Sequence, residues 1–199
     1  MARTRANDFE EKRHALLVAA ARVFASQGMD KASLSQIAAE AGISKSLLYH
    51  YYPKKDELIF SIIESHLLAL DRRIEAADDP SLAPEARLER LVSTVLEAYR
   101  GADDQHKVQL NAATALSEAQ GEALRAVERR IVRRFSAVLR QINPDLDRDG
   151  RPLLMPMTLS LFGMMNWVYM WFKDGGPITR EDYARLATTL ILDGIKAVR

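Results

Sequence analysis

Residues 34–53 read LSQIAAEAGISKSLLYHYYP, and few backbones can satisfy that order of side chains. Counted from Leu34, the residues Ile37, Ala41, Ile43, Leu48 and Tyr51 recur where two short crossing helices bury side chains against each other. Ala38 stands where the helices cross, and a larger side chain there would hold them apart. Gly42 falls at the turn, where the chain needs a positive φ that glycine adopts cheaply. Ser44 precedes the second helix and can cap it, its hydroxyl taking an orphan backbone N–H. The spacing predicts a helix-turn-helix whose second helix shows a polar outer face.

In such a motif the second helix enters the DNA major groove. Lys45, near its start, is placed to reach a phosphate or a guanine. Leu47 can pack on a thymine methyl, and Tyr49 offers a hydroxyl to a phosphate. Ser33 precedes the first helix with Gln36 three residues on, a capping box. Ser33 or Ser35 is also placed to touch a phosphate. Lys54 and Lys55 follow Pro53 at the start of the next helix, where they could clamp the DNA backbone. Substituting Tyr49 or Lys55 is expected to weaken DNA binding and leave the fold intact. Leu48 and Tyr52 are expected in the core.

The rest of the chain reads as helical. Residues 1–8 suggest a flexible basic arm whose Arg3 and Arg5 reach a phosphate or the minor groove. Residues 9–27 carry Leu16, Leu17, Ala20, Val23 and Phe24 at helical spacing, ended by Gly28. A fourth helix is expected over 55–77, broken by Asp78-Asp79-Pro80. Further helices are expected near 83–100, 104–117, 119–142, 152–173 and 179–197, with no strand alternation anywhere. The predicted fold is all-α, about nine helices. A helix-turn-helix DNA-binding domain covers 9–55, and a larger helical ligand-binding and dimerisation domain covers 56–199.

Composition removes several alternatives. Apolar residues make up 48% of the 199, enough for a real core. There is no cysteine, so disulfides and thiolate metal sites are excluded. Residues 1–56 hold nine Lys/Arg against six Asp/Glu, although the whole chain is only +1, a bias that suits an N-terminal nucleic-acid module. The N-terminus lacks the apolar run of a signal peptide. Residues 153–172 are uncharged but carry Pro156, Thr158, Ser160 and Asn166, and read as a buried or interface helix rather than a membrane span. A cytoplasmic, bacterial, nucleoid-associated protein is expected. His14, His50, His66 and His106 do not fall at metal-ligand spacing, so no metal and no cofactor is expected. Ser61 and His66 lack an orienting partner, so no enzyme is expected.

These residues carry a family resemblance. Residues 9–60 resemble the TetR family of one-component transcription regulators, through Phe24 to Gly28, Leu34-Ser35-Gln36-Ile37-Ala38, Ala41-Gly42-Ile43-Ser44-Lys45, Leu48-Tyr49-His50-Tyr51-Tyr52 and Lys55-Asp56-Glu57-Leu58. The resemblance implies DNA contacts from Lys45, Ser46, Leu47, Tyr49, His50 and Tyr51. For Tyr51 it pulls against the spacing argument, because the motif buries that position while the family often exposes it. Ser46-Leu47 stand where relatives commonly carry Gly-Thr, so base preference does not carry over. It also implies a homodimer on a palindromic operator, most simply a repressor released by a small-molecule effector.

The run from Phe162 to Trp167, continuing through Trp171-Phe172 to Gly176-Pro177, resembles a subgroup governing fatty-acid, aromatic or steroid catabolism, which implies an acyl- or aryl-CoA effector. On that reading Phe162, Met165, Asn166, Tyr169 and Met170 face the ligand, and Arg129 and Arg133 sit near its phosphates. Asn166, an amide among apolar neighbours, needs a partner that a ligand carbonyl could supply. Met164, Trp167, Trp171, Tyr183, Leu186, Leu190 and Ile191 are expected at the dimer interface, as two helices per protomer closing a four-helix bundle. A multidrug sensor of the same family and a ligand-independent architectural DNA-binding protein are the alternatives.

Overall fold

A computed structural model describes residues 2–112, 114–148 and 150–197, with the side chains of residues 2–10 left outside the description. The α-helices are α1 (Ala2–Gln27), α2 (Leu34–Glu40), α3 (Lys45–Tyr51), α4 (Lys55–Ala77), α5 (Pro84–Ala98), α6 (Asp103–Asn111), α7 (Glu118–Ile142), α8 (Leu154–Asn166), α9 (Val168–Trp171) and α10 (Arg180–Ala197). The fold is all-α as expected. Among the described residues the one sheet is a two-residue antiparallel pairing of Asp147–Arg148 with Arg151–Pro152, turned at Gly150, which the sequence pattern did not announce.

Local chemistry sets several helix starts. Ser33 accepts from the Gln36 backbone N–H at 3.2 Å, and its own N–H donates to Gln36 Oε1 at 2.9 Å. Ser117 and Gln120 repeat that exchange ahead of α7, and Thr179 and Asp182 repeat it ahead of α10. Pro84 opens α5 at a position where the missing N–H costs nothing.

Three expected boundaries are corrected. Residues 2–8, expected as an arm, continue α1, because nothing in that stretch is a proline or glycine that would stop a helix. The helix expected over 104–117 ends at Asn111, whose side chain turns back to the Lys107 carbonyl at 2.8 Å. The single helix expected over 152–173 is divided at Trp167 into α8 and α9.

The chain forms two compact units, residues 1–68 with 101–125, and residues 69–100 with 126–199. In the first, α2 and α3 pack together, α1 covers α2, and α6 also lies on α1. Leu16, Leu17, Ala20, Ala21, Val23, Phe24, Leu34, Ile37, Leu48, Tyr52 and Leu58 are buried there. In the second, α5, α8 and α10 pack on one another. Its core holds Leu88, Leu91, Val92, Phe135, Val138, Leu161, Met165, Ala184 and Ile195, with Phe135 and Phe162 edge to face at 4.9 Å.

Candidate DNA-binding face and regulatory unit

The motif is built as its residues require. Gly42 turns with φ +65, the one left-handed residue between α2 and α3. Ser44 caps α3 by accepting the Leu47 N–H at 3.1 Å. Leu48 is fully buried, and Ala38 and Ile37 take the crossing point. Ala41 and Ile43 are only half-buried.

The outer side of α3 carries Lys45, Ser46, Leu47, Tyr49, His50 and Tyr51, all exposed. The Lys45 ammonium lies 5.7 Å over the Tyr49 ring, and the His50 and Tyr51 rings are 5.6 Å apart. Tyr51 is 40% exposed, on the side the family pattern implied and not the one the motif spacing did, and Tyr52 is buried as expected. Tyr52 is held from behind, since its hydroxyl accepts the Arg13 Nε–H at 3.3 Å.

Two expected contacts are spent inside the protein. The Lys55 ammonium donates to the carbonyls of Met29 at 2.7 Å, Asp30 at 3.1 Å and Ala32 at 3.0 Å. An ammonium has three N–H donors, so none remains for a phosphate while this geometry holds. Lys55 therefore ties the loop after α1 to the start of α4, and its replacement is expected to disturb the fold. The Ser33 hydroxyl likewise donates to Gln36 Oε1 at 3.0 Å. Ser35 and Lys54 are exposed. Arg3 and Arg5 lie outside the described side chains.

Sequence spacing gave no sign that His66 and His106 would meet. Their rings stand 6.1 Å apart in the first unit, on α4 and α6. Burial, with His106 beside it, holds the His66 imidazole down at about 4 against an ordinary 6.5. Among the described residues no group of three or more metal-ligating side chains comes together.

In the second unit the predicted ligand residues divide. Phe162 and Met165 are buried, Asn166 and Tyr169 are half-buried, and Met170 is 56% exposed. The partner that Asn166 requires comes from the chain itself, because the Tyr99 hydroxyl donates to its Oδ1 at 2.9 Å. Tyr99 carries no sequence motif, and hydrogen-bond accounting alone could say that a partner was needed but not which. Arg129 and Arg133 are exposed on α7. Their neighbours Arg130 and Arg134 are engaged by carboxylates of α4, Arg130 with Asp71 at 2.9 Å and Arg134 with Glu75 at 3.2 Å.

Of the expected interface residues, Trp167, Trp171, Leu186 and Leu190 are between 44% and 59% exposed, and Met164 and Tyr183 are half-buried. Ile191 is corrected, since it is 5% exposed and packs within its own protomer. Met155 and Leu159 on α8 are further exposed apolar side chains that were not assigned to this face. No helix among the described residues is long and apolar enough to cross a membrane.

Comparison with known proteins bears on both units. Residues 16–62 match the family of bacterial regulatory proteins, tetR family, and residues 81–195 match the tetracyclin repressor-like C-terminal domain. A TetR-family transcriptional regulator from Bordetella parapertussis 12822 superposes with a TM-score of 0.84 at 33% identity, over 94% of this chain and 97% of that one. The HTH-type transcriptional repressor KstR2 of Mycobacterium tuberculosis is 26% identical over 96% of each chain. AibR, solved in complex with isovaleryl coenzyme A and operator DNA, shares the fold with a TM-score of 0.77 at 22% identity, over 90% of this chain and 97% of that one. Regulators of this kind bind operator DNA as dimers and respond to small-molecule effectors, and they are not enzymes. With its helix-turn-helix built as above and its second half matched along most of its length, the chain belongs to the TetR family of DNA-binding transcriptional regulators.

Proposed function

We propose that this ligand-responsive repressor reads its operator through the outer face of α3, and that an acyl- or aryl-CoA thioester releases it. The observation that carries the DNA reading is α3 itself. It is seven residues long, buries only Leu48, and presents Lys45, Ser46, Leu47, Tyr49, His50 and Tyr51 to solvent. Lys45 and Tyr49 supply phosphate or base-edge donors, and Leu47 supplies an apolar surface for a thymine methyl. Ser35 and Lys54 flank that face and are assigned backbone contacts, with Arg3 and Arg5 added from the first turns of α1. On this assignment residues 9–55 form the reading head and 56–199 the regulatory and dimerising part. The protein works in the bacterial cytoplasm, on the nucleoid.

The dimer face is assigned to the exposed apolar side chains Trp167, Trp171, Leu186 and Leu190, joined by Met155 and Leu159 and rimmed by Met164 and Tyr183. Two copies of α8 and α10 paired about a two-fold axis would bury them. The effector is assigned to the interior of the second unit, with Phe162, Met165 and Tyr169 as apolar walls and with Arg129 and Arg133 toward its phosphates. The subgroup resemblance of residues 162–177 supports a CoA ester, and so does the ligand reported for AibR. Effector binding releases DNA only to the extent that the ester prefers the state whose two reading heads no longer match successive major grooves.

The test is a gel-shift titration of the operator complex with fatty-acyl and aryl-CoA esters, the free acids, free coenzyme A and a set of cationic drugs. Release by one ester class alone supports the proposal. Release by the cationic drugs alone makes the protein a multidrug sensor, and no release by any of them favours a ligand-independent DNA-binding protein.

A further inference from the structure

Helix α8 stops at Asn166 and α9 starts at Val168, although neither proline nor glycine stands at the join. The gap is one residue wide, since Trp167 keeps right-handed α dihedrals and its N–H reaches the Gly163 carbonyl at 3.2 Å, and an inserted side chain is an identifiable cause of such a gap. Two hydroxyls from other helices meet the last turn of α8. Tyr99, the C-cap of α5, donates to Asn166 Oδ1 at 2.9 Å. Tyr183, on α10, donates to the Met164 carbonyl at 3.1 Å. That carbonyl is the one the Val168 N–H would take in an uninterrupted helix.

Tyr99 is 6% exposed, so its hydroxyl is in surroundings where an acceptor is costly to lose. The Tyr183 ring in turn carries Trp171 edge-on at 5.0 Å. At the break stands Trp167 and just past it Met170 and Trp171, all largely exposed.

We propose that Tyr99 and Tyr183 are positioning residues that lock the α8–α9 break and thereby aim Trp167, Met170 and Trp171 into the association face. They connect the interior of the second unit to its surface. An acceptor oxygen of a bound effector that took the Tyr99 hydroxyl would remove that bond from Asn166 and let the last turn of α8 shift, turning the tryptophans out of register. The effect on association rests on the dimer face proposed above. The link from the two hydroxyls to the tryptophans does not.

The experiment uses the full chain and its own reporters, since Trp167 and Trp171 are its only tryptophans. Tyr99→Phe and Tyr183→Phe remove a hydroxyl and keep the ring. Thr158→Val is the control, because the Thr158 hydroxyl is buried and donates to the Leu154 carbonyl at 2.7 Å in the same helix, away from the break. Tryptophan emission and the dimer dissociation constant, from sedimentation over a dilution series, are measured for each. Both phenylalanine variants should shift the emission maximum and weaken the dimer about fivefold, the factor expected for one net hydrogen bond. Thr158→Val should leave both readings at wild-type values, whatever it does to the melting temperature. Wild-type spectra and dissociation constants in both phenylalanine variants overturn the proposal, and so does an equal change in Thr158→Val. If the phenylalanine variants shift the emission while wild-type emission stays constant across its own monomer–dimer transition, the positioning role stands and the dimer-face assignment falls.

Discussion

Helix α3 is framed by contacts reaching three or four residues along the chain, whereas the end of α8 is fixed by hydroxyls 67 and 19 residues away. Ser33 with Gln36, Gly42 at its turn and Ser44 with the Leu47 N–H each act within a few residues, so the reading face is specified almost where it is written. The end of α8 has no capping side chain of its own and takes hydroxyl partners from the C-cap of α5 and from α10. A recognition surface needs a fixed geometry, which local capping supplies. A sensing element needs a geometry that something in the interior can alter, and long-range hydrogen bonds to a buried tyrosine allow that.

Substitutions in the first unit put this contrast at risk. Leu48→Ala removes the one buried side chain of α3 and should cost about 3 kcal/mol, read as a lower urea midpoint together with loss of DNA binding. A near-neutral result would mean that caps alone hold α3. Lys55→Met keeps the aliphatic stem and deletes three donors to the carbonyls after α1, at a cost of about 2 kcal/mol. If the melting temperature instead stayed put while DNA affinity fell, Lys55 would be a phosphate contact after all.

His66 tests a long-range contact of a different kind in the first unit, its ring set against that of His106. The unfolded chain takes up a proton there near 6.5, and the folded chain only near about 4. Stability is therefore full above the unfolded value and falls as pH drops through that window. Going from about pH 7 to about pH 5.5 should cost roughly 1 kcal/mol in denaturation experiments. His66→Gln should flatten that slope. An unchanged slope would place the acid sensitivity elsewhere. Ser44→Ala should cost about 1 kcal/mol, the usual value of an N-cap, and should lower the melting temperature by a few degrees with the second unit's tryptophan emission untouched.

Legibility in the sequence followed the same division. The Ser33 and Ser44 caps, the Gly42 turn and the buried face of α1 were visible because each depends on periodicity or on a residue a few positions away. Tyr51 was left open, since the motif spacing buries that position and the family pattern exposes it, and the packing of Tyr52 behind α3 leaves Tyr51 outside. Lys55 looked like a phosphate contact because its charge and its place beside the motif fit one, and nothing in the sequence shows three carbonyls converging on it from residues 29–32. His66 and His106 are forty positions apart, and Tyr99 and Asn166 are further still, so their pairing exists only once the helices have packed. Ile191 was assigned to the interface together with its neighbour Leu190, and burial within the protomer claimed it.

The central claim is that the exposed side of α3 reads DNA as one half of a symmetric pair. It is tested most directly by selecting bound duplexes from a randomised pool with the wild-type protein, then measuring the affinity of the enriched site for Lys45→Ala, Tyr49→Phe and His50→Ala. The account predicts a two-fold-symmetric sequence whose half-sites lie about one helical turn apart, or a multiple of it. Its binding should weaken steeply with salt and weaken again in each variant, with the melting temperature unchanged. An enriched site without symmetry, or one bound equally well by all three variants, would contradict it.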